Sequence, residues 1–143
     1  MTDRSVQFLP EDPNAQTRNF ILAAMQLRAK PEEFIKLFHE DAILHMVGSQ
    51  RDQSFYGTHR GHAEILRVLR DVDANMDRRY HQLLGVVIEG ECFAVRRLVE
   101  MRHHGTAIVA DFVVGHLVRF RQGRIAEVIE FIDTASVKKF YGQ

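Results

Sequence analysis

The spacing of apolar residues along the chain switches between two periods, and each switch marks a new element. Phe20, Ala24 and Leu27, with Ile21 alongside, recur at helical spacing and predict a helix over 13–29. Asp12 can cap it and Pro13 suits its first position. Lys30-Pro31 breaks it. Phe34, Ile35, Leu37 and Phe38 form the apolar set of a shorter helix from Pro31 to about His39, so the two make a helical hairpin over something. The segment 41–47 reads as a strand. The segment 48–61 has no clear period and reads as a long loop turning into a helix. Ile65, Leu66, Leu69 and Val72 give that helix, 62–76, one apolar face and leave charges on the other. Strands follow over 80–88 and 91–102, with turns at Glu89-Gly90 and at His103-His104-Gly105. The stretch 105–133 then reads as a long hairpin: two runs rich in Val, Ile and Phe joined by a tight turn at Arg121-Gln122-Gly123. A short helix over 134–141, capped by Asp133 or Thr134, closes the chain. Residues 1–12 read as a loosely ordered tail.

Helices first, then one strand, a helix and four antiparallel strands give an α+β fold in a single domain over 1–143. Composition adds exclusions. Lysine plus arginine equals aspartate plus glutamate at 19 each, so there is no positive excess for nucleic acid. A net charge of zero does little to oppose self-association. The one cysteine, Cys92, precludes an intramolecular disulfide and fits a reducing cytoplasm. Beside Phe93 it reads as a small core residue. No apolar run approaches the roughly 20 residues that span a bilayer, and the first residues lack the apolar centre of a signal peptide.

Candidate chemistry follows from strand parity. Phe112, Val114, His116, Val118 and Phe120 share one face of their strand, and Arg119 and Arg121 the other. On the next strand Ala126, Val128, Glu130 and Ile132 share a face. With the turn near Gln122-Gly123, position 116 falls roughly opposite position 130. A carboxylate beside an imidazole in an apolar setting can move a proton. Arg97, pointing inward, would bind a carboxylate or phosphate or stabilise an enolate-like charge. Alternatively, Arg97 and Glu130 form a structural ion pair between strands, and His116 is a satisfied core histidine. Asp133 reads as a helix cap, Asp41 as the end of a turn and Asp111 as solvated. His45 belongs to the outside of the sheet, and His103-His104 to an exposed turn. The eight histidines show no zinc-type spacing, His59 and His62 straddling a loop-to-helix junction. No metal and no cofactor is expected.

Three segments, LFHEDAILHMVG, YGTHRGHAEILRVL and VRFRQGRIAEVIEFIDT, together resemble the SnoaL-like branch of the NTF2-like superfamily, which also contains ketosteroid isomerases and limonene epoxide hydrolases. The resemblance runs over nearly the whole chain from about Asn14. Gly123-Arg124-Ile125 followed by Glu130-Phe131-Ile132-Asp133 is its most specific part. It implies a cone: a strongly curved, mostly antiparallel sheet wrapped around the N-terminal helices, with an apolar pocket at the open end and dimers formed through the sheet. Against ketosteroid isomerase, the Asp base aligns with Met46, the phenolic donor with Phe20, Ile21 or Leu22, and the second carboxyl with His116. Against limonene epoxide hydrolase, the water-activating Asp aligns with Glu130 and the Arg with Arg97. The second Asp of that enzyme aligns with Val99, and its Tyr and Asn with Leu44 and Met46. Neither set is complete, so neither reaction carries over by those residues.

Two readings remain open. The first is a cofactor-free acid–base enzyme (isomerase, hydrolase, dehydratase or cyclase) acting on a small apolar, oxygenated molecule. Glu130 and His116 would be its catalytic pair, with Arg97, Leu44, Met46, Val99, Phe112 and Val114 lining the substrate pocket. The second is a non-catalytic ligand-binding or dimeric assembly module. In either, the sheet serves homodimerisation, and Val113, Leu117 and Val99 are candidates for its other face.

Overall fold

The computed structural model describes residue 12 and residues 14–143. The expected tail, Asp12 apart, and Pro13 lie outside the described residues. Helix α1 is Ala15–Leu27; Asn14 is its N-cap. Asp12 accepts from the Asn14 N–H at 2.9 Å and pairs with Arg18 at 3.0 Å instead of capping the helix. Helix α2, Pro31–Phe34, starts on a proline, whose missing N–H costs nothing there. It tightens into a 3₁₀ turn, Ile35–Leu37. Strand β1, Phe38–Met46, begins earlier than the sequence predicts and takes in Asp41. Asp41 is therefore no turn residue; it is exposed in the strand and pairs with Arg121 at 2.9 Å.

The segment read as a long loop contains a strand of its own. Strand β2, Gly57–Arg60, pairs antiparallel with the end of β1. Four residues leave too short a run for a period to be seen. His45 alternates with buried Leu44 and Met46, and its Nδ1 lies 2.7 Å from the Thr58 hydroxyl of β2. It lies on the outer side, as parity predicts. Helix α3, Gly61–Ala74, buries Ile65, Val68, Leu69 and Val72, spaced three and four apart. Strands β3, Met76–Glu89, β4, Cys92–His103, β5, Val109–Arg121, and β6, Arg124–Phe131, follow as a meander. Helix α4, Thr134–Phe140, closes the chain on an Asp133 cap, whose carboxylate accepts from Ala135 at 3.0 Å and Ser136 at 3.4 Å.

The sheet order is β2-β1-β6-β5-β4-β3. Every neighbouring pair is antiparallel except β1–β6. The sheet curves without closing. Its bends have a local cause: register shifts interrupt the ladders between Arg78 and Tyr80, between Leu83 and Gly85 and between Arg119 and Phe120. A bulge of this kind kinks the strand and increases its twist. The concave side packs over α1, α3 and α4, and one core runs through all of them. No helix among the described residues is long and apolar enough to cross a membrane.

Parity along β4 shows which residues enter this core. Phe93, Val95, Arg97, Val99, Met101 and His103 are all buried. Cys92 therefore lies on the outer side and is exposed, not a core residue. His103, expected in an exposed turn, is buried. Its Nδ1 accepts the Gly105 and Thr106 amides, each at 3.1 Å, and so holds the turn together. His104 beside it is exposed and pairs with Asp77 at 2.9 Å.

Phe140 is 1% exposed and meets Phe112 edge to face at 5.3 Å between centroids. It fastens α4 to the sheet. Phe140→Ala should cost about 3–5 kcal/mol, the range for a large core truncation. Urea unfolding followed by circular dichroism reads this as a lower midpoint at unchanged slope.

Candidate active site

The concave side of the sheet does not fill completely. A cavity of about 150 Å³ remains between it and α1. Its described lining holds no Ser, Thr, Asn, Gln or Lys. Seven phenylalanines and many aliphatic side chains make up the wall, and six groups bring polarity: Arg28, Arg78, Arg97, His116, Glu130 and Tyr141. Leu44, Met46, Val99, Phe112 and Val114 are all on the wall. Val99 was also a candidate for the outer face, and at 1% exposure it is not there.

His116 and Glu130 are cross-strand partners on β5 and β6. The His116 Nε2 lies 2.9 Å from Glu130 Oε1. Burial pushes the Glu130 carboxyl up. The hydrogen bond and charge of His116, with Arg97 and Arg28 behind them, outweigh that and hold it down to about 2. An ionised carboxylate has no proton to give, so the His116 Nε2–H donates and Glu130 accepts. The imidazole is thereby oriented, and its Nδ1 makes no hydrogen bond among the described residues.

Arg97 comes from the inner parity of β4 and is 8% exposed. It forms no ion pair with Glu130, which removes the simple interstrand bridge as an account of either residue. Among the described residues no carboxylate pairs with Arg97. Burial lowers its guanidinium to about 10, opposed by Glu130 and assisted by Arg78 and Arg28. It remains charged at neutral pH.

Three further wall residues escaped the sequence reading. Arg28, just past the end of α1, bonds Asp73 of α3 at 2.9 Å. Arg78 of β3 bonds the other oxygen of Asp73 at 2.5 Å. Burial works against ionisation of Asp73, but the two arginines prevail and its pKa is lowered. Arg28 continues the helix face of Ile21 and Met25, a spacing that could have placed it inside. Tyr141, just after α4, keeps a buried hydroxyl with no partner among the described residues. No periodic signal in so short a helix would have oriented it. His59 and His62 place their Nε2 atoms against the Phe55 and Phe38 carbonyls at 2.7 and 2.8 Å.

Comparison with known proteins agrees with this architecture. The SnoaL-like domain profile matches residues 18–128. The chain is a member of the SnoaL-like family. No curated protein matches it in sequence. Solved structures match in fold. An NTF2-like protein of unknown function from Burkholderia pseudomallei superposes with a TM-score of 0.77 at 20% identity, over 90% of this chain and 97% of that one. TerC co-crystallised with polyporic acid gives 0.76 at 20% identity, over 92% and 100%. A Catenulispora acidiphila protein of ketosteroid isomerase-like fold, in complex with trimethylamine, gives 0.66 at 16% identity, over 78% and 82%. At these identities the likeness is one of fold.

The low pKa of Glu130 has a consequence for stability. It is depressed in the folded state from an ordinary 4.5 to about 2, so its stabilisation is present above pH 4.5 and is lost as pH falls towards 2. The difference corresponds to about 3 kcal/mol. In urea titrations between pH 6 and pH 2, the stability of Glu130→Gln should fall less steeply than that of the parent, by about this amount.

Proposed function

We propose that this SnoaL-like protein binds a small, mostly apolar, oxygenated molecule in the cavity and moves a proton on it. His116 and Glu130 are the acid–base pair. The observation that carries this reading is the 2.9 Å contact of these two side chains on an apolar wall that also holds a guanidinium, that of Arg97, with no carboxylate partner among the described residues. Glu130 fixes the imidazole, and the lone pair on His116 Nδ1 takes the proton. The C–H bond of the ligand breaks, its electron pair moves onto the adjoining carbonyl oxygen, and Arg97 stabilises the resulting oxyanion. The Glu130 carboxylate stabilises the imidazolium until the proton is returned. Return to the same or a neighbouring position gives an isomerisation, and loss of a leaving group gives a dehydration. No step of this sequence calls on a cofactor.

The reading is tested on the small molecule that remains bound after purification, identified by native mass spectrometry. Deuterium uptake from D₂O into its acidic C–H position should be catalysed by the parent. His116→Gln should slow it by about 10²–10⁴, the usual worth of a positioned base. Glu130→Gln, checked for folding by circular dichroism, should slow it as well. Uptake at equal rates in all three proteins would leave a non-catalytic binder.

We also propose a homodimer formed through the convex side of the sheet. Val113, Leu117 and Phe131 are 52%, 48% and 44% exposed. They surround Gly115, which pairs with Phe131, so they form one apolar patch on adjacent strands. Light scattering should give twice the chain mass for the parent and the single-chain mass for Leu117→Glu. A monomeric parent at micromolar concentration would dispose of the idea.

A further inference from the structure

The proton-transfer reading leaves the class of ligand open, and the charges around the cavity narrow it. Arg28, Arg78 and Arg97 reach its wall from α1, β3 and β4. Two carboxylates answer them. Asp73 is shared between Arg28 and Arg78, and Glu130 is held by His116. One positive charge is left over. The excess resides on Arg97, which has no carboxylate partner among the described residues and is almost fully buried. A buried, unpaired guanidinium is costly, and an anion from outside is the group that would compensate it. Glu130 is near enough to favour the charged Arg97 electrostatically, and Arg78 and Arg28 act against it.

We infer that the cavity takes an apolar monocarboxylate, seated with its carboxylate on the Arg97 guanidinium and its hydrocarbon body among the phenylalanines. The inference rests on the proposed small-molecule function and narrows its substrate: the carboxylate takes one edge of the Arg97 guanidinium and leaves its remaining N–H groups to the oxyanion formed when His116 removes the proton. A planar carboxylate matches the guanidinium fork with two parallel hydrogen bonds. One anionic charge balances the one left over. A phosphomonoester, with close to two charges, would over-compensate it. It would also need extra donors for its third oxygen, and beyond the arginines and His116 the described wall offers one hydroxyl, that of Tyr141, and no amide or lysine side chain. Arg28 and Arg78 are kept from the ligand by Asp73 and act on it as a fixed background charge.

The test compares acids with their uncharged isosteres. Benzoate, cinnamate and octanoate, and the three corresponding primary amides, are titrated against the intact protein by calorimetry at neutral pH. At least one acid should bind about tenfold or more tightly than its amide, the margin expected when a charge-assisted hydrogen bond is replaced by a neutral one. In Arg97→Met the preference should vanish. Arg97→Lys keeps the charge without the planar fork; it should keep the preference with weaker binding, and it serves if the methionine variant fails to fold. Equal binding of acid and amide, no binding by any acid, or a preference that survives in Arg97→Met would each overturn the proposal. Calorimetry reads binding alone. Proton transfer by His116 and Glu130 is judged separately by the exchange experiment, so the two ideas can fail independently.

Discussion

The candidate site depends on one irregularity in the β5–β6 ladder. The hairpin turns through Gln122 and Gly123, both with positive φ, at 53° and 76°. Such a two-residue turn matches the twist of the strands it joins and fixes Arg121 opposite Arg124. Continued without interruption, that register would set His116 against Ile129. The register shift between Arg119 and Phe120 admits one extra residue on β6, and His116 meets Glu130 instead. A single-residue slip exchanges the two faces of a strand. The bulge therefore decides whether the carboxylate faces the cavity or the solvent. The same irregularity helps to bend the sheet, so the curvature that makes the cavity and the pairing that equips it have a common origin.

The arrangement of charge follows from the helices that the sheet embraces. Helix α1 ends just before Arg28, which favours a cation by the polarity of the helix. Asp73, near the end of α3, meets that side chain and Arg78 of β3 together. Three elements are thus tied at one edge of the cavity by a shared carboxylate. Had Asp73 been nearer β4, Arg97 would be neutralised as well. As built, the compensation stops one charge short, and it does so at a buried side chain of the wall.

Much of the fold was legible because its signals are long. The 3.6-residue spacing of α3 and the alternating runs from β3 to β6 each extend over enough residues to establish a period. The resemblance of three segments to SnoaL-like proteins supplied the curvature, which alternation alone does not encode. What escaped was short or two-sided. Strand β2 is four residues long. The sides taken by Cys92 and His103 depend on the parity of β4 out to its ends. Carried from Phe93 through Val99, it puts Cys92 outside and both Arg97 and His103 inside. Ile125 displaces Ala126 from the inner face, since a bulge leaves no mark in an apolar run. The site was half legible. His116 and Glu130 stood out as polar residues on apolar faces, whereas Arg28, Asp73 and Arg78 look like ordinary surface charges until three distant elements converge.

The apolar wall has a part in the chemistry beyond filling space. In water a carboxylate, an imidazole and a guanidinium at these separations would attract one another only weakly. Surrounded by phenylalanine and aliphatic side chains, the same groups interact strongly enough to hold Glu130 ionised against the cost of its burial. A carboxylate so well stabilised is a poor proton acceptor. It is therefore better suited to orienting His116 than to accepting the proton itself. In the proposed proton transfer the division of labour between the two residues thus follows from their surroundings: the side chain with the strongly lowered pKa would hold the geometry, and the imidazole it orients would carry the proton.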